Sequence, residues 1–217
     1  MPQNTEAEAE QDRYLGYFPT NARFQNAIVT GAVEGENVLT KSHLMNVMKM
    51  HQSIETDVSE YEGAKYTFTD LCSVAGGTCA TYDPSDKVCS CLLVSVLKMW
   101  NYDLDTLDAD EDFLATLTQY GTKEDLEGVL GAPVFDSTTG QLLSAQAISI
   151  SYFLADRSSL EGGSTVDPIN EAWEEKVFLA NVEGAPEKYS NILLNYISSR
   201  SFDDEFGGEV SFVQLFL

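Results

Sequence analysis

Hydrophobic and polar positions change period several times along this chain, and each change marks an element. Residues 24–30 read as a first strand, closed by a turn through Gly31 and Glu34-Gly35-Glu36-Asn37. Residues 40–54 switch to helical spacing, with Leu44, Val47, Met48, His51 and Ile54 as one apolar stripe and Thr40 or Ser42 as the cap. Residues 65–69 (KYTFT) return to a β-prone pattern. Residues 92–100 (LLVSVLKMW) predict a short buried helix. Residues 111–120 and 123–130 predict two more, stopped by Gly121 and Gly131. A hairpin comes next, with arms 133–136 and 141–154 around Ser137-Thr138-Thr139-Gly140. In its long arm Ile148, Ile150, Tyr152 and Leu154 fall on one face, and Ser149, Ser151 and Phe153 on the other. Residues 156–165 read as a polar loop. Residues 168–179 (PINEAWEEKVFL) predict a helix with proline and acidic residues where its start favours them, and Ile169, Ala172, Trp173 and Val177 turned inward. Residues 192–199 predict the last strand.

Leaving out the middle of the chain, the order is strand, helix, strand, then strand, helix, strand. That is the split β-α-β order, so the predicted fold is α+β, a ferredoxin-like sandwich with its helices on one face of the sheet. Residues 71–131 then form a cysteine-containing, partly helical insertion between the second and third strands. Residues 1–16 read as a disordered acidic tail, residues 17–206 as the folded domain, and residues 207–217 as a hinge leading into the apolar run VSFVQLFL. A transmembrane helix needs ~20 predominantly apolar residues. The run reads either as a short final strand or as the start of a truncated membrane helix.

Composition narrows the function. A hydrophobic content of 43% and an aromatic content of 11% are those of a globular protein. Twelve Lys and Arg against 35 Asp and Glu give a net charge of −23, which repels nucleic acid and anionic lipid. The N-terminus shows neither the cationic nor the apolar region of a signal peptide. Cys72, Cys79, Cys89 and Cys91 are spaced C-x6-C-x9-C-x-C, which is neither a zinc knuckle nor a redox C-x-x-C. Two disulfides are predicted, with Cys89 and Cys91 each bonded back to Cys72 or Cys79. Reduced thiols and a metal site stay as the alternatives.

The remaining candidates are weaker. Asp103, Asp105, Asp108, Asp110, Glu111 and Asp112 form the densest acidic run. Read as a calcium loop from Asp108, the run places Phe113 and Gln119 where glycine and glutamate belong, so it reads as an acidic helix entry. His43 and His51 stand two turns apart on one helix, too far for one metal, and His51 lies on the apolar stripe. No nucleophile elbow, phosphate loop or H-E-x-x-H occurs. No metal, cofactor or catalytic residue is expected. Trp100, Tyr102, Tyr152, Phe153 and Trp173 read as core, with a lipid- or partner-lining surface as the alternative.

Several segments, taken in order, resemble one family. Tyr17-Phe18-Pro19-Thr20-Asn21-Ala22-Arg23 resembles the "FP…R" start of Patched-related domains, and Val38-Leu39-Thr40 with Leu44 and His51 resembles the family's next segment and helix. Asp70-Leu71-Cys72, Cys79 and Cys89 resemble the family's cysteine region. Residues 147–154 resemble its long central strand, and Ala172-Trp173-Glu174 its next helix motif. Arg200 to Glu205, with Ser201, Asp204 and Glu205, resembles the element before the second membrane helix. The chain is thus similar to the Patched/Niemann–Pick type C/Dispatched branch of the resistance-nodulation-division superfamily. The resemblance implies a ferredoxin-like domain on the extracellular or lumenal side of a sterol-sensing-domain membrane protein that moves or senses sterols or other lipids. It implies the rest of that parent protein as partner and no bond chemistry in this chain. Membrane helices, and the acidic residues that carry cations within them, have no counterpart here. The alternative is a stand-alone soluble acidic module that binds a ligand or protein. A small hydrolase on the same fold is a third reading, without a nucleophile–base pair to support it.

Overall fold

Alternation along the first strand sets the main sheet. The computed structural model describes residues 22–74, 90–157, 159–161 and 164–198. In β1 (Ala22–Gly31), Gln25, Ala27 and Val29 are buried while Phe24 and Ile28 are exposed, the period-two pattern of a sheet covered on one side. The helix α1 (Lys41–Thr56) starts at Thr40, whose hydroxyl accepts the His43 N–H, and its expected stripe is fully buried. After it, β2 (Ser59–Tyr61) and β3 (Ala64–Tyr66) form a separate hairpin. Glu62 and Gly63 take positive φ in its turn. A capping box between Thr67 and Asp70 opens the short α2 (Phe68–Leu71). The expected second strand at 65–69 is therefore not in the main sheet: the tight turn folds it back on β2, and its second half starts a helix.

The edge expected of that strand is made from within the 71–131 insertion. It consists of two short pieces, β4 (Leu93–Val94) and β5 (Leu130–Gly131). Between them lie a 3-10 turn (Val96–Trp100) and three short helices, α3 (Leu104–Ala109), α4 (Phe113–Thr118) and α5 (Lys123–Glu127). The buried helix expected at 92–100 is thus a strand and a 3-10 turn, stopped by Asn101 and Tyr102 in the left-handed region. The hairpin of β6 (Val134–Phe135) and β7 (Leu142–Ser144) leads into β8 (Ala147–Ala155), whose two faces alternate as expected.

A small hairpin, β9 (Ser159–Glu161) with β10 (Ser164–Val166), takes the place of the expected polar loop. The last helical stretch runs through α6 (Pro168–Trp173), a π-helix (Glu174–Leu179) and α7 (Ala180–Lys188). It passes Gly184 and Pro186 because Asn181, Val182 and Ala185 are buried beneath it. Packing here overrides local propensity.

The last strand, β11 (Ile192–Ser198), completes an antiparallel sheet in the order β11-β1-β8-β4, with β5 also paired to β8. The architecture is α+β. Leu44, Val47, Met48, Ile54, Trp173 and Phe178 of the helices bury the inner row of β8, Ile148 to Leu154. Phe68 meets Tyr152 edge-on at 5.4 Å between centroids and Trp173 at 5.7 Å. Among the described residues no helix is long and apolar enough to cross a membrane.

Candidate functional site

The cysteine region sits on the β8 edge. Cys72 comes directly after α2, bridges Leu154 of β8, and forms a disulfide with Cys91, Cα to Cα 5.4 Å. Val74 pairs with Cys91, so the bond ties both sides of the insertion's entry to the sheet. Of the expected pairings this is one, and it excludes a reduced or metal-bound state for these two cysteines. Cys79 and Cys89 lie outside the described residues, as do Ser201, Asp204, Glu205 and the 207–217 segment.

A buried ionic contact links two segments that sequence reading treated separately. Arg23 pairs with Leu154 in the β1–β8 register and lies on the inner face. Its Nε and Nη2 donate to the Glu174 carboxylate at 3.0 and 3.1 Å, and its Nη1 is 3.8 Å from Glu171. Gln25 Nε2 donates to the same Glu174 oxygen that takes Arg23 Nε. Glu174 is fully buried at the first position of the π-helix. A carboxylate in that position needs such a fork of donors to stay charged. The signal was present in the sequence: the β1 alternation puts Arg23 in phase with Gln25, Ala27 and Val29, so an arginine on the core side required an acidic partner.

His51 is the second buried polar centre. Its Nδ1 is 3.1 Å from the Tyr152 hydroxyl, its Nε2 is 3.9 Å from the Glu55 carboxylate, and its ring is 5.0 Å from that of Tyr102. Burial pushes its pKa down to about 4 and pushes those of Glu55, Tyr102 and Tyr152 up. Tyr102 donates its hydroxyl to the Leu93 carbonyl, which fixes β4 over this cluster. His43 is spent locally. Its Nδ1 lies 2.7 Å from the Thr40 hydroxyl that already accepts its backbone N–H, and its Nε2 is 3.6 Å from Glu36. That hydroxyl is a helix cap, and the two histidines do not meet.

The acidic run builds helix ends. Asp103 and Asp112 accept from the backbone at the starts of α3 and α4. Asp110 accepts from Thr116 at 2.7 Å and from Trp100 Nε1 at 2.8 Å, and these bonds hold its carboxyl below the usual range. Lys41 Nζ donates to the Leu107 and Asp110 carbonyls at the end of α3. Among the described residues no three His, Cys, Asp or Glu side chains gather as a metal-holding group.

The remaining feature is a surface. On the sheet face away from the helices, β1 presents Phe24, Asn26, Ile28 and Thr30, and β11 presents Leu193, Asn195 and Ile197. On the same face β8 presents Ala147, Ser149, Ser151 and Phe153, and β4 presents Val94. Phe24, Ile28, Val94, Leu193 and Ile197 are each 36–47% exposed. Asn26 donates to Ser149 and Ser151 at 2.8 and 2.7 Å, so the polar centre of the face is internally satisfied. Of the five aromatic residues weighed from sequence, Trp100, Tyr152 and Trp173 are core and Tyr102 is packed against it. Phe153 alone faces outward, 6.4 Å from Phe24 between centroids. At the opposite end of the face, Thr30, Ala147, Leu193 and Gly131 line an open cavity of about 450 Å³. Compared with known proteins, the chain matches no family model and no curated protein.

Proposed function

We propose that this chain is the extracellular or lumenal domain of a Patched-like membrane protein of the resistance-nodulation-division superfamily. Its fold is ferredoxin-like, and its role is to bind and position a sterol or other lipid without making or breaking bonds. The observation that carries the reading is spatial. Three of the segments quoted for the resemblance converge on Leu154 of the central strand: Arg23 pairs with it, Cys72 bridges to it, and Glu174 holds Arg23 from the helix motif. The strand order β11-β1-β8-β4 supports the fold assignment, since the split β-α-β arrangement puts its fourth, first, third and second strands side by side in that way. The Cys72–Cys91 bond supports an oxidising compartment.

Two measurements test this. Sequencing the native transcript on both sides of this chain is expected to show apolar runs of ~20 residues flanking the domain. Purified chain incubated with a photoreactive cholesterol analogue is expected to be labelled in competition with unlabelled cholesterol. A stop directly after Leu217 with no upstream apolar run, together with no competed labelling, refutes the reading. A stand-alone acidic binding module would then remain, a reading favoured by the exposed sheet face.

A further inference from the structure

In a chain with 47 charged residues, the outer sheet face carries none across four strands. Covering these strand residues therefore desolvates no ion, the largest cost in forming an interface, and among the residues lining the cavity at the end of the face the single charge is Glu34.

The face is also shaped to fit itself. Phe24 and Phe153 are opposite each other at one end. Six residues along β1, roughly 20 Å away at the rise of a strand, the same two strands carry Thr30 and Ala147, and Gly131 lies beside Ala147. These small residues line the cavity of about 450 Å³ together with the loop residues Val33, Glu34 and Gly35. A glycine is required there, because a Cβ on Gly131 would stand 2.8 Å from that of Ala147. Bulk at one end and a hollow at the other are the two halves of an isologous contact. A two-fold axis parallel to the sheet and just outside its outer face, perpendicular to the strands, brings the phenylalanine pair of each copy over the hollow of the other.

We propose that the outer face of this sheet is a homodimer interface, in which the Phe24–Phe153 pair of each copy seats in the Thr30–Ala147–Gly131 hollow of its partner. Strands of ten, nine and seven residues, with the two-residue β4 and β5 sharing the fourth place, at about 3.3 Å per residue and about 4.8 Å apart, give roughly 475 Å² per copy, or about 950 Å² in total, in the range of weak, transient interfaces. Association is therefore weak and reversible. Each copy carries −23, so charge opposes it. Salt that screens this repulsion tightens the dimer, the reverse of an interface built on ion pairs.

Sedimentation equilibrium of the intact chain from about 1 to about 500 µM reads the mass directly. The expected result is a rise from 23.9 kDa toward twice that mass. Raising NaCl from about 0.15 to about 1 M shifts the midpoint to lower concentration. Phe153→Ala removes half the knob, and Leu193→Lys puts a charge at the hollow's rim on an edge strand that tolerates lysine. Each is expected to raise the dimer Kd at least about tenfold while keeping the far-UV spectrum. Val134→Lys, equally exposed on the β6–β7 hairpin, is expected to leave it unchanged. A chain that stays monomeric at the highest concentration in 1 M salt overturns the proposal and leaves the face to another protein or a lipid. A dimer indifferent to both face substitutions, or equally weakened by Val134→Lys, overturns it too.

Discussion

His51 should make this domain acid-labile by a calculable amount. The imidazole is fully buried between Tyr152, Tyr102 and Glu55, and its pKa falls from an ordinary 6.5 to about 4. The folded state therefore binds its proton more weakly than the unfolded chain does. Stability is complete above pH 6.5, is lost as the unfolded histidine protonates below it, and stops falling once the folded histidine also protonates near pH 4. At about 1.4 kcal/mol per tenfold change, the whole span is worth about 3 kcal/mol, of which about 2 kcal/mol is gone by about pH 5. Against a typical total of about 5–15 kcal/mol that is a large fraction. Other groups facing the ring do not imitate it. Burial raises the Glu55 carboxyl, which works in the opposite sense as pH falls, and Tyr102 and Tyr152 titrate far above this range. The perturbation is His51→Asn, whose amide keeps a partner for the Tyr152 hydroxyl but does not titrate. Urea unfolding followed by the fluorescence of Trp100 and Trp173, both buried, gives stability at each pH. The variant is expected to be the less stable near pH 7.5, and the gap to wild type to close by about 2 kcal/mol between there and pH 5. Parallel pH profiles for the two proteins would refute the argument, since they would mean that His51 titrates alike in both states.

The ionic node predicts a non-additive result. Glu174→Gln leaves the Arg23 guanidinium, 17% exposed, with only the 3.8 Å contact to the half-exposed Glu171 as counter-charge, and should cost up to about 3 kcal/mol, whereas pairing it with Arg23→Leu should recover much of the loss. Additive single and double substitutions in urea unfolding would contradict this. Replacing Cys72 and Cys91 by alanine opens a connection across 19 residues and should lower stability by about 3 kcal/mol in the chain-entropy model, read as a lower Tm that no longer responds to added reductant at this bond. An unchanged Tm would mean that the insertion's entry is held by packing alone. Gly131→Val should cost about 1–3 kcal/mol, because its Cβ would fall 2.8 Å from that of Ala147 and β5 would have to leave the β8 edge. A wild-type melting curve would show that this edge is dispensable.

The sequence is legible where its signal is local. The stripe of α1 and the alternation of β8 were legible because each buries one face against the other, so periodicity and packing report the same fact. The edge strand was not. Two-residue strands such as Leu93–Val94 and Leu130–Gly131 are too short to show a period, and they pair with β8 because Tyr102 pins Leu93 and the small Gly131 lets the backbone approach Ala147. The KYTFT segment has every β-forming residue, yet Glu62-Gly63 before it and the Thr67–Asp70 cap within it decide otherwise; turn chemistry outranks propensity in so short a run. Of the site, Cys72 and Cys91 were legible as chemistry and their pairing was not, because spacing alone does not choose among connectivities. The buried carboxylate of Glu174 was hidden for a different reason: in an acidic helix one glutamate looks like the next. Only its phase, one step from Trp173 and in line with Val177 and Phe178, separates it from Glu171 and Glu175. The outer face could have been found by the same test. Reading β1 and β8 at period two gives Phe, Asn, Ile, Thr and Ala, Ser, Ser, Phe facing outward, rows without a charge in a chain that is one-fifth charged. An uncharged outer row in an acidic protein is a stronger sign of a covered surface than hydrophobicity alone, because no packing among the described residues requires it.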